Sequence, residues 1–200
     1  MLKEKGKFIV IYGINNIGKS TQVKMLVEAL RQRGTEAESI KYPIYDLAPT
    51  GPRVNRILRE ESETGIYEIE LQKIYAQNRM DFEPQLTQWL DKGTWVVAED
   101  YTGTGIAWGW TKGASLEELE KINEGLLKED IAILLDGEPF RQAKEANHIH
   151  EQQEHWMQEC RQKHLELAKR YGWSVVNANL LKDEVHEKIW EIVKEIGLSS

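Results

Sequence analysis

The chain has 200 residues, a length at which one folded domain is the usual outcome. At 40% apolar and 30% charged residues it can build a full hydrophobic core, which excludes disordered and fibrous classes. Its 33 acidic residues outnumber 26 basic ones, and the net charge of −7 argues against a protein that mainly binds nucleic-acid backbones or anionic membranes. The charge is uneven, because residues 1–59 carry 11 basic and 5 acidic side chains, a net +6.

The cysteine count and the hydropathy pattern bear on the compartment. Cys160 is the only cysteine, which excludes an internal disulfide and favours a reducing environment. The apolar run Phe8–Tyr12 is too short for a signal peptide, and no stretch approaches the ~20 apolar residues of a membrane span. We therefore expect a soluble, cytoplasmic protein without a membrane partner.

Strand patterns recur along the chain and alternate with helical ones. Continuous β-prone runs at Phe8–Tyr12, 95–98 and 131–135 predict buried parallel strands, and shorter strands are expected near 38–42 and 173–176. Alternation of strand and helix predicts an α/β domain over residues 1–200, with a parallel sheet of roughly five strands between two helical layers.

The segments between the strands are interpreted by their apolar spacing and their glycines. Apolar residues recur at helical spacing after Gly18 and predict a first helix there. Further helices are predicted at 53–61, 67–90 (containing Pro84), 116–127, 157–171 and 185–196. Segment 46–52 is predicted to be a loop. Segment 101–113 holds four glycines and two tryptophans, which favours a loop that carries function. The polar segment 138–154 has no apolar period and is predicted to form a lid.

Residues 13–20, with the sequence GINNIGKS, match the phosphate-binding pattern G-x4-G-K-[ST], after a strand and before a helix. Glycines let backbone N–H groups surround phosphate oxygens, and the helix N-terminus adds partial positive charge. Lys19 would reach the β- and γ-phosphates of ATP, and the Ser20 hydroxyl would coordinate Mg²⁺. The predicted ATP-binding residues are Gly13, Asn15, Asn16, Ile17, Gly18, Lys19, Ser20 and Thr21.

A phosphate-binding loop alone is compatible with kinases, GTPases, ATPases and helicases. A GTPase would need the guanine-reading motif N-K-x-D, which does not occur in the sequence. A helicase or motor ATPase usually needs a longer chain and a basic track. The chain length and the lid-like segment favour a small-molecule kinase with a P-loop kinase fold.

Further segments resemble, in order and spacing, those of the thymidylate kinase family, which phosphorylates dTMP with ATP and Mg²⁺. Beyond the P-loop, Lys41-Tyr42-Pro43 with Gly51-Pro52 is similar to the segment beside the dTMP phosphate. The run 75–79, YAQNR, is similar to the stretch that stacks on and hydrogen-bonds the thymine. Runs 96–101 and 104–108 resemble the strand that ends in Asp-Arg-Tyr and the following Ser-(Ser/Gly)-x-Ala-aromatic run.

The resemblance implies roles for individual residues. Tyr75 would stack on the pyrimidine, Arg79 would hydrogen-bond the base or a phosphate, and Trp108 would exclude a ribose 2′-hydroxyl by its bulk. Because successive strand residues point to opposite faces, only one of Glu99 and Asp100 is expected in the site. The resemblance favours Glu99, as the catalytic residue that holds Mg²⁺ through water or orients the acceptor. The expected substrate-binding residues are Pro43, Tyr45, Arg53, Tyr75, Arg79, Tyr101, Thr104, Gly105 and Trp108, with Lys19, Glu99 and Arg79 catalytic and with Ser20 and Glu99 at the metal.

The sequence also departs from the family pattern. Asp100 stands where the family has the arginine of Asp-Arg-Tyr, and Tyr45 stands where it has a second arginine. Since the transition state of phosphoryl transfer spreads negative charge, we expect other cations to compensate, with Arg53 contacting the acceptor phosphate. In the lid, Arg141, Lys144, His148 and His150 are expected to approach the ATP phosphates.

The sequence thus predicts a thymidylate kinase-like phosphotransferase that uses ATP, dTMP and Mg²⁺, with no nucleic-acid partner and with a homodimer possible through helices that flank the sheet. Two alternatives stay open. A deoxynucleoside kinase, or another pyrimidine monophosphate kinase, would use the same P-loop with a different acceptor. A nucleotide-binding regulatory protein would have lost catalysis together with the family arginines.

Overall fold

The computed structural model describes residues 4–59, 68–140 and 149–197 and has the predicted α/β architecture. The five strands are all parallel and lie in the order β2-β3-β1-β4-β5. They are β1 (Phe8–Tyr12), β2 (Ala37–Lys41), β3 (Trp95–Glu99), β4 (Ile131–Asp136) and β5 (Ser174–Asn177). All five predicted strands are confirmed.

Helices cover both faces of this sheet. Alternate residues of β1 point to opposite sides: Ile9 and Ile11 join one apolar cluster, and Phe8, Val10 and Tyr12 join the other. The helices are α1 (Lys19–Gln32), α2 (Thr50–Arg59), α3 (Glu68–Asp91), α4 (Thr102–Thr111), α5 (Leu116–Ile122), α6 (Ile149–Tyr171) and α7 (Lys182–Gly197). Buried faces on both sides explain the continuous apolar strands in the sequence.

The helix α4 contradicts the prediction of a loop over residues 101–113. Its glycines are packing residues, because they let neighbouring elements approach the helix backbone more closely than a side chain would allow. A Cβ on Gly103 would overlap the indole ring of Trp173, and one on Gly109 would lie 2.6 Å from a methyl group of Leu119. Trp108 therefore belongs to a helix, whereas the sequence analysis placed it on a loop.

Smaller differences concern the ends of elements. α2 begins at Thr50, inside the predicted loop 46–52, and α5 ends at Ile122, five residues before the predicted end. α3 continues through Pro84 without interruption. Of the predicted lid 138–154, residues 149–154 belong to α6, and residues 141–148 lie outside the described residues. In the part of the chain that the structure describes, no helix is long and apolar enough to cross a membrane.

Candidate active site

A cleft of about 810 Å³ opens at the carboxyl ends of β1, β2 and β3. The P-loop forms one end, and residues of α3 and α4 form the other. In parallel sheets this edge is where ligands bind, because the strand order reverses there and the connecting segments separate. The cleft brings together most residues that the sequence analysis predicted.

The P-loop end contains seven of the eight predicted ATP-binding residues, since only Gly13 is outside the cleft lining. Gly13 lies behind it with φ +144°, and Gly18 opens α1 with φ +96°, conformations that favour glycine. The Lys19 Nζ atom donates hydrogen bonds to the carbonyl oxygens of Gly13 (2.7 Å) and Ile14 (2.9 Å). These bonds hold a buried ammonium group at the beginning of a helix, where phosphate groups bind.

Both Glu99 and Asp100 line the cleft, so the expectation that only one of them faces the site is wrong. Strand alternation does not apply to Asp100, because β3 ends at Glu99 and Asp100 adopts a left-handed conformation with φ +62°. Asp100 Oδ1 accepts a hydrogen bond from Thr104 Oγ1 (2.7 Å) and lies 3.6 Å from Lys19 Nζ. Burial raises the pKa of Asp100, and the nearby Lys19 only partly offsets this.

Lys41 lines the cleft. The sequence analysis placed it in the segment beside the acceptor phosphate but did not include it among the expected site residues. Lys41 ends β2, and its Nζ donates to Glu99 Oε1 at 2.7 Å, directly across the strand pair in which Lys41 and Glu99 are register partners. Partial burial favours the neutral amine, but the hydrogen bond and charge of Glu99 outweigh it and raise the pKa of Lys41. Lys41 is therefore a fixed positive charge at the cleft wall beside the P-loop.

The far end of the cleft is built around Arg79 of α3, which is only 5% exposed. Its Nη1 donates to Asn123 Oδ1 at 2.8 Å, while its Nε has no hydrogen-bond partner among the described residues. Burial lowers the pKa of Arg79, and the surrounding tyrosines, Tyr101 foremost, act in the opposite direction. Tyr75, one helical turn earlier, lines the same wall. A flat ligand would meet an aromatic ring and a guanidinium group here.

Other predicted acceptor-side residues divide into those in the cleft and one outside it. Pro43, which follows a cis peptide bond, lines the cleft together with Tyr45, Tyr101, Thr104, Gly105 and Trp108. Arg53 is exposed on α2 and is not among the lining residues. Arg141, Lys144 and His148 lie outside the described residues, and His150 belongs to α6 without a described side chain.

Three polar lining residues were missed altogether: Glu68, Gln72 and Lys112. Lys112 Nζ lies 3.2 Å from Glu68 Oε2, and Gln72 Nε2 donates to Glu68 Oε1 at 2.7 Å. Gln72 and Glu68 are four residues apart on α3, a helical spacing at which side chains meet. This spacing could have predicted the contact between Gln72 and Glu68. The role of the contact in the cleft also depends on Lys112, which follows α4 and lies next to Glu68.

Known proteins resemble this chain over almost its full length. A sequence model described as thymidylate kinase matches residues 11–189. The chain belongs to the thymidylate kinase family. It is 30% identical to a Pyrococcus abyssi protein described as "Probable thymidylate kinase", with 95% of this chain and 97% of that protein covered. It is 28% identical to the thymidylate kinase of Homo sapiens, with 94% and 90% covered.

Structural comparison agrees with the family assignment. The structure of thymidylate kinase from Candida albicans matches with a TM-score of 0.78 over 96% of this chain and 92% of that one, at 24% sequence identity. At this identity the likeness concerns the fold. Members of the family are ATP-dependent nucleoside monophosphate kinases, which confirms the enzyme class that the resemblance implied.

Proposed function

We propose that this protein transfers the γ-phosphoryl group of ATP to dTMP, forming ADP and dTDP. The observation that carries the proposal is one continuous cleft with a P-loop at one end and buried Arg79 with Tyr75 at the other. Two nucleotides placed at these ends would present their phosphates to each other between Lys19 and Lys41. Positioning of this kind supplies most of the catalysis that phosphoryl transfer needs.

At the donor end, the backbone N–H groups of the P-loop would hold the phosphates of ATP. Lys19 would exchange its bonds to the Gly13 and Ile14 carbonyl oxygens for bonds to phosphate oxygens. Because those carbonyl bonds hold its ammonium group in place beforehand, little reorganisation is required. A preorganised donor of this kind stabilises developing charge more effectively than mobile water.

The cleft also fits a magnesium ion. The Ser20 hydroxyl and the carboxylates of Glu99 and Asp100 are hard oxygen donors, which Mg²⁺ prefers. Among the described residues no cluster of three or more His, Cys, Asp or Glu side chains is arranged to hold a metal ion. Mg²⁺ at phosphate sites is usually bound through one or two protein oxygens plus substrate phosphates and water. The bound ion would neutralise charge on the phosphates.

At the acceptor end, the ring of Tyr75 would stack on the base while Arg79 hydrogen-bonds its edge. An oxygen of the dTMP phosphate would form a bond to the γ-phosphorus as the bond to the β,γ-bridging oxygen breaks. Lys41, held by Glu99, would contact the dTMP phosphate and supply the charge that an arginine at position 100 supplies in the family pattern. Arg53, exposed on α2, stays a weaker candidate for that role.

An ADP-release assay with dTMP, dUMP, dCMP, thymidine and deoxycytidine as acceptors tests the proposal. Fastest turnover with dTMP would support it. Turnover with nucleosides only would replace it by a deoxynucleoside kinase, and tight ATP binding without turnover on any acceptor would replace it by a regulatory protein. A nucleoside kinase would use the Glu99 carboxylate to accept the 5′-hydroxyl proton, and Lys41 engages one oxygen of that carboxylate.

We further propose a cytoplasmic location, since the lone Cys160 is a buried free thiol. A homodimer also remains a prediction. Light scattering would show about twice the 23.2 kDa chain mass for a dimer, whereas a value equal to the chain mass would reject it.

A further inference from the structure

One buried amide in the cleft has a fixed orientation. Gln72 is 1% exposed, and its Nε2 donates to Glu68 Oε1 at 2.7 Å. Its Oε1 has no hydrogen-bond partner among the described residues, and Gln72 lines the cleft. A buried amide oxygen without a partner is costly, and such an atom in a binding cleft points to a ligand that would donate to it.

The neighbours of Gln72 prevent the amide from turning over. Lys112 Nζ lies 3.2 Å from the other carboxylate oxygen of Glu68, so Glu68 is an ion-paired carboxylate. An ionised carboxylate only accepts hydrogen bonds, and therefore the NH₂ group of Gln72 must face Glu68. The carbonyl oxygen of Gln72 is therefore a fixed acceptor on the side away from Glu68, next to Gly105, which also lines the cleft.

A fixed donor lies beside this acceptor. A Cβ on Gly105 would lie 2.7 Å from Gln72 Oε1 and 2.7 Å from Arg79 Nη2. Glycine at this position keeps open the space on which the two groups converge. Arg79 is itself anchored through Nη1 to Asn123, so Nη2 and Nε remain directed away from that anchor. The cleft thus presents one acceptor and one donor next to each other, both on α3.

We infer that Gln72 determines which pyrimidine base the enzyme accepts, by receiving the N3–H hydrogen bond of thymine or uracil while Arg79 donates to O4. Cytosine presents the opposite pattern in the same pose, an unprotonated N3 and an amino group, and would set acceptor against acceptor and donor against donor. Glu68 and Lys112 are positioning residues that keep Gln72 from adapting. The inference rests on the proposed function, since it concerns the acceptor end of the same cleft.

The decisive variant is Glu68→Gln, which is isosteric but can donate as well as accept. The Gln72 amide is then free to turn and present its NH₂ group to the N3 atom of cytosine. We expect the ratio of kcat/KM for dTMP to that for dCMP to fall about 10- to 100-fold, the discrimination that one paired set of base contacts provides. KM for ATP should not change. Glu70→Gln, on the same helix but paired with Lys73 at the surface, is the matched control.

Binding measurements make the result independent of turnover. Calorimetry with dTMP and dCMP should show the same loss of preference in Glu68→Gln and in Gln72→Met, a second variant of similar volume. An unchanged preference in both variants, with wild-type thermal stability, would overturn the role of Gln72. Wild-type protein that prefers dTMP in binding but releases no ADP would instead overturn the proposed kinase reaction and leave the role of Gln72 standing.

Discussion

Replacing Lys41 by glutamine tests how this protein compensates for the family arginine that is missing at position 100. The substitution removes the charge of a residue that lines the cleft, and it keeps a side chain of similar length that can still hydrogen-bond Glu99. If Lys41 contacts the acceptor phosphate, the loss should depend on whether the ligand carries that phosphate. If Lys41 only pairs with Glu99, all ligands should be affected alike.

The structure sets the size of the expected effect. A hydrogen bond between charged groups contributes about 1.5–3 kcal/mol. The Lys41 side chain is 59% exposed and shares its charge with Glu99, so water screens the interaction and the lower limit applies. About 1.5 kcal/mol corresponds to roughly a tenfold weaker binding of dTMP, because 1.4 kcal/mol is a factor of ten.

Calorimetric binding of dTMP and thymidine, each measured with wild type and Lys41→Gln, separates the two possibilities. We expect the affinity for dTMP to fall about tenfold, the affinity for thymidine to stay within twofold, and Lys41→Arg to recover most of the loss. Lys73→Gln removes an exposed charge outside the cleft and serves as control. Equal losses for dTMP and thymidine, or no loss for either, would refute the assignment of Lys41 to the phosphate.

Three further predictions concern packing and pH. Gly103→Ala should lower the free energy of unfolding by about 1–3 kcal/mol in chemical denaturation, because the alanine Cβ would overlap the Trp173 ring. Adding Trp173→Phe should restore part of the lost stability. An undiminished stability of the single variant would contradict this close packing. Asp100→Asn should reduce kcat yet raise the free energy of unfolding at pH 7, because burial raises the pKa of Asp100 and its ionised form costs stability above that pKa. The gain should shrink as the pH falls and the wild-type carboxyl takes up its proton, so a gain that grows towards low pH would contradict it. Burial lowers the pKa of His164 to about 4 from its ordinary value of 6.5, so the unfolded chain takes up this proton before the folded one as the pH falls. The free energy of unfolding should therefore decrease as the pH falls from 6.5 towards 4, by about 2 kcal/mol between pH 7 and 5. His164→Gln should show a correspondingly flatter pH dependence of unfolding, and an equally steep one would refute the role of His164 in that dependence.

The strands and most helices could be predicted because their residues are buried in regular patterns. β1 and β4 are continuous apolar runs, and α7 repeats apolar residues at helical spacing. α4 was missed because glycine has a low helix propensity, so Gly103, Gly105 and Gly109 weigh against a helix. What holds this helix together is tertiary packing: Ile106 and Ala107 are buried in the main apolar cluster, which the local sequence does not show.

The P-loop end of the site could be predicted because its chemistry lies in eight consecutive residues. Most of the acceptor end could be named only through the family resemblance, and the residues specific to this chain were missed. Asp100 faces the cleft through a single left-handed backbone conformation. Gln72 becomes a fixed acceptor only because α4 carries Lys112 to Glu68. Such features depend on contacts between distant elements, which spacing along one segment does not reveal.

The positive charge that the family pattern has at position 100 is supplied here by a residue on a neighbouring strand. In the family pattern the cation follows the carboxylate on the same strand. Here the carboxylate Glu99 is followed by a second carboxylate, and the cation Lys41 comes from the neighbouring strand, opposite Glu99 in the parallel register. The four residues form two pairs of opposite charge, Lys41 with Glu99 and Lys19 with Asp100. The strand register holds Lys41 directly opposite Glu99, so the site already has a cation there. Replacing Asp100 by arginine should therefore not increase the activity. Asp100→Arg would set a second cation beside Lys19 and remove the acceptor of the Thr104 hydrogen bond. We therefore expect Asp100→Arg alone to lower kcat with dTMP, and a gain in kcat would show that the strand ends are not coupled in this way.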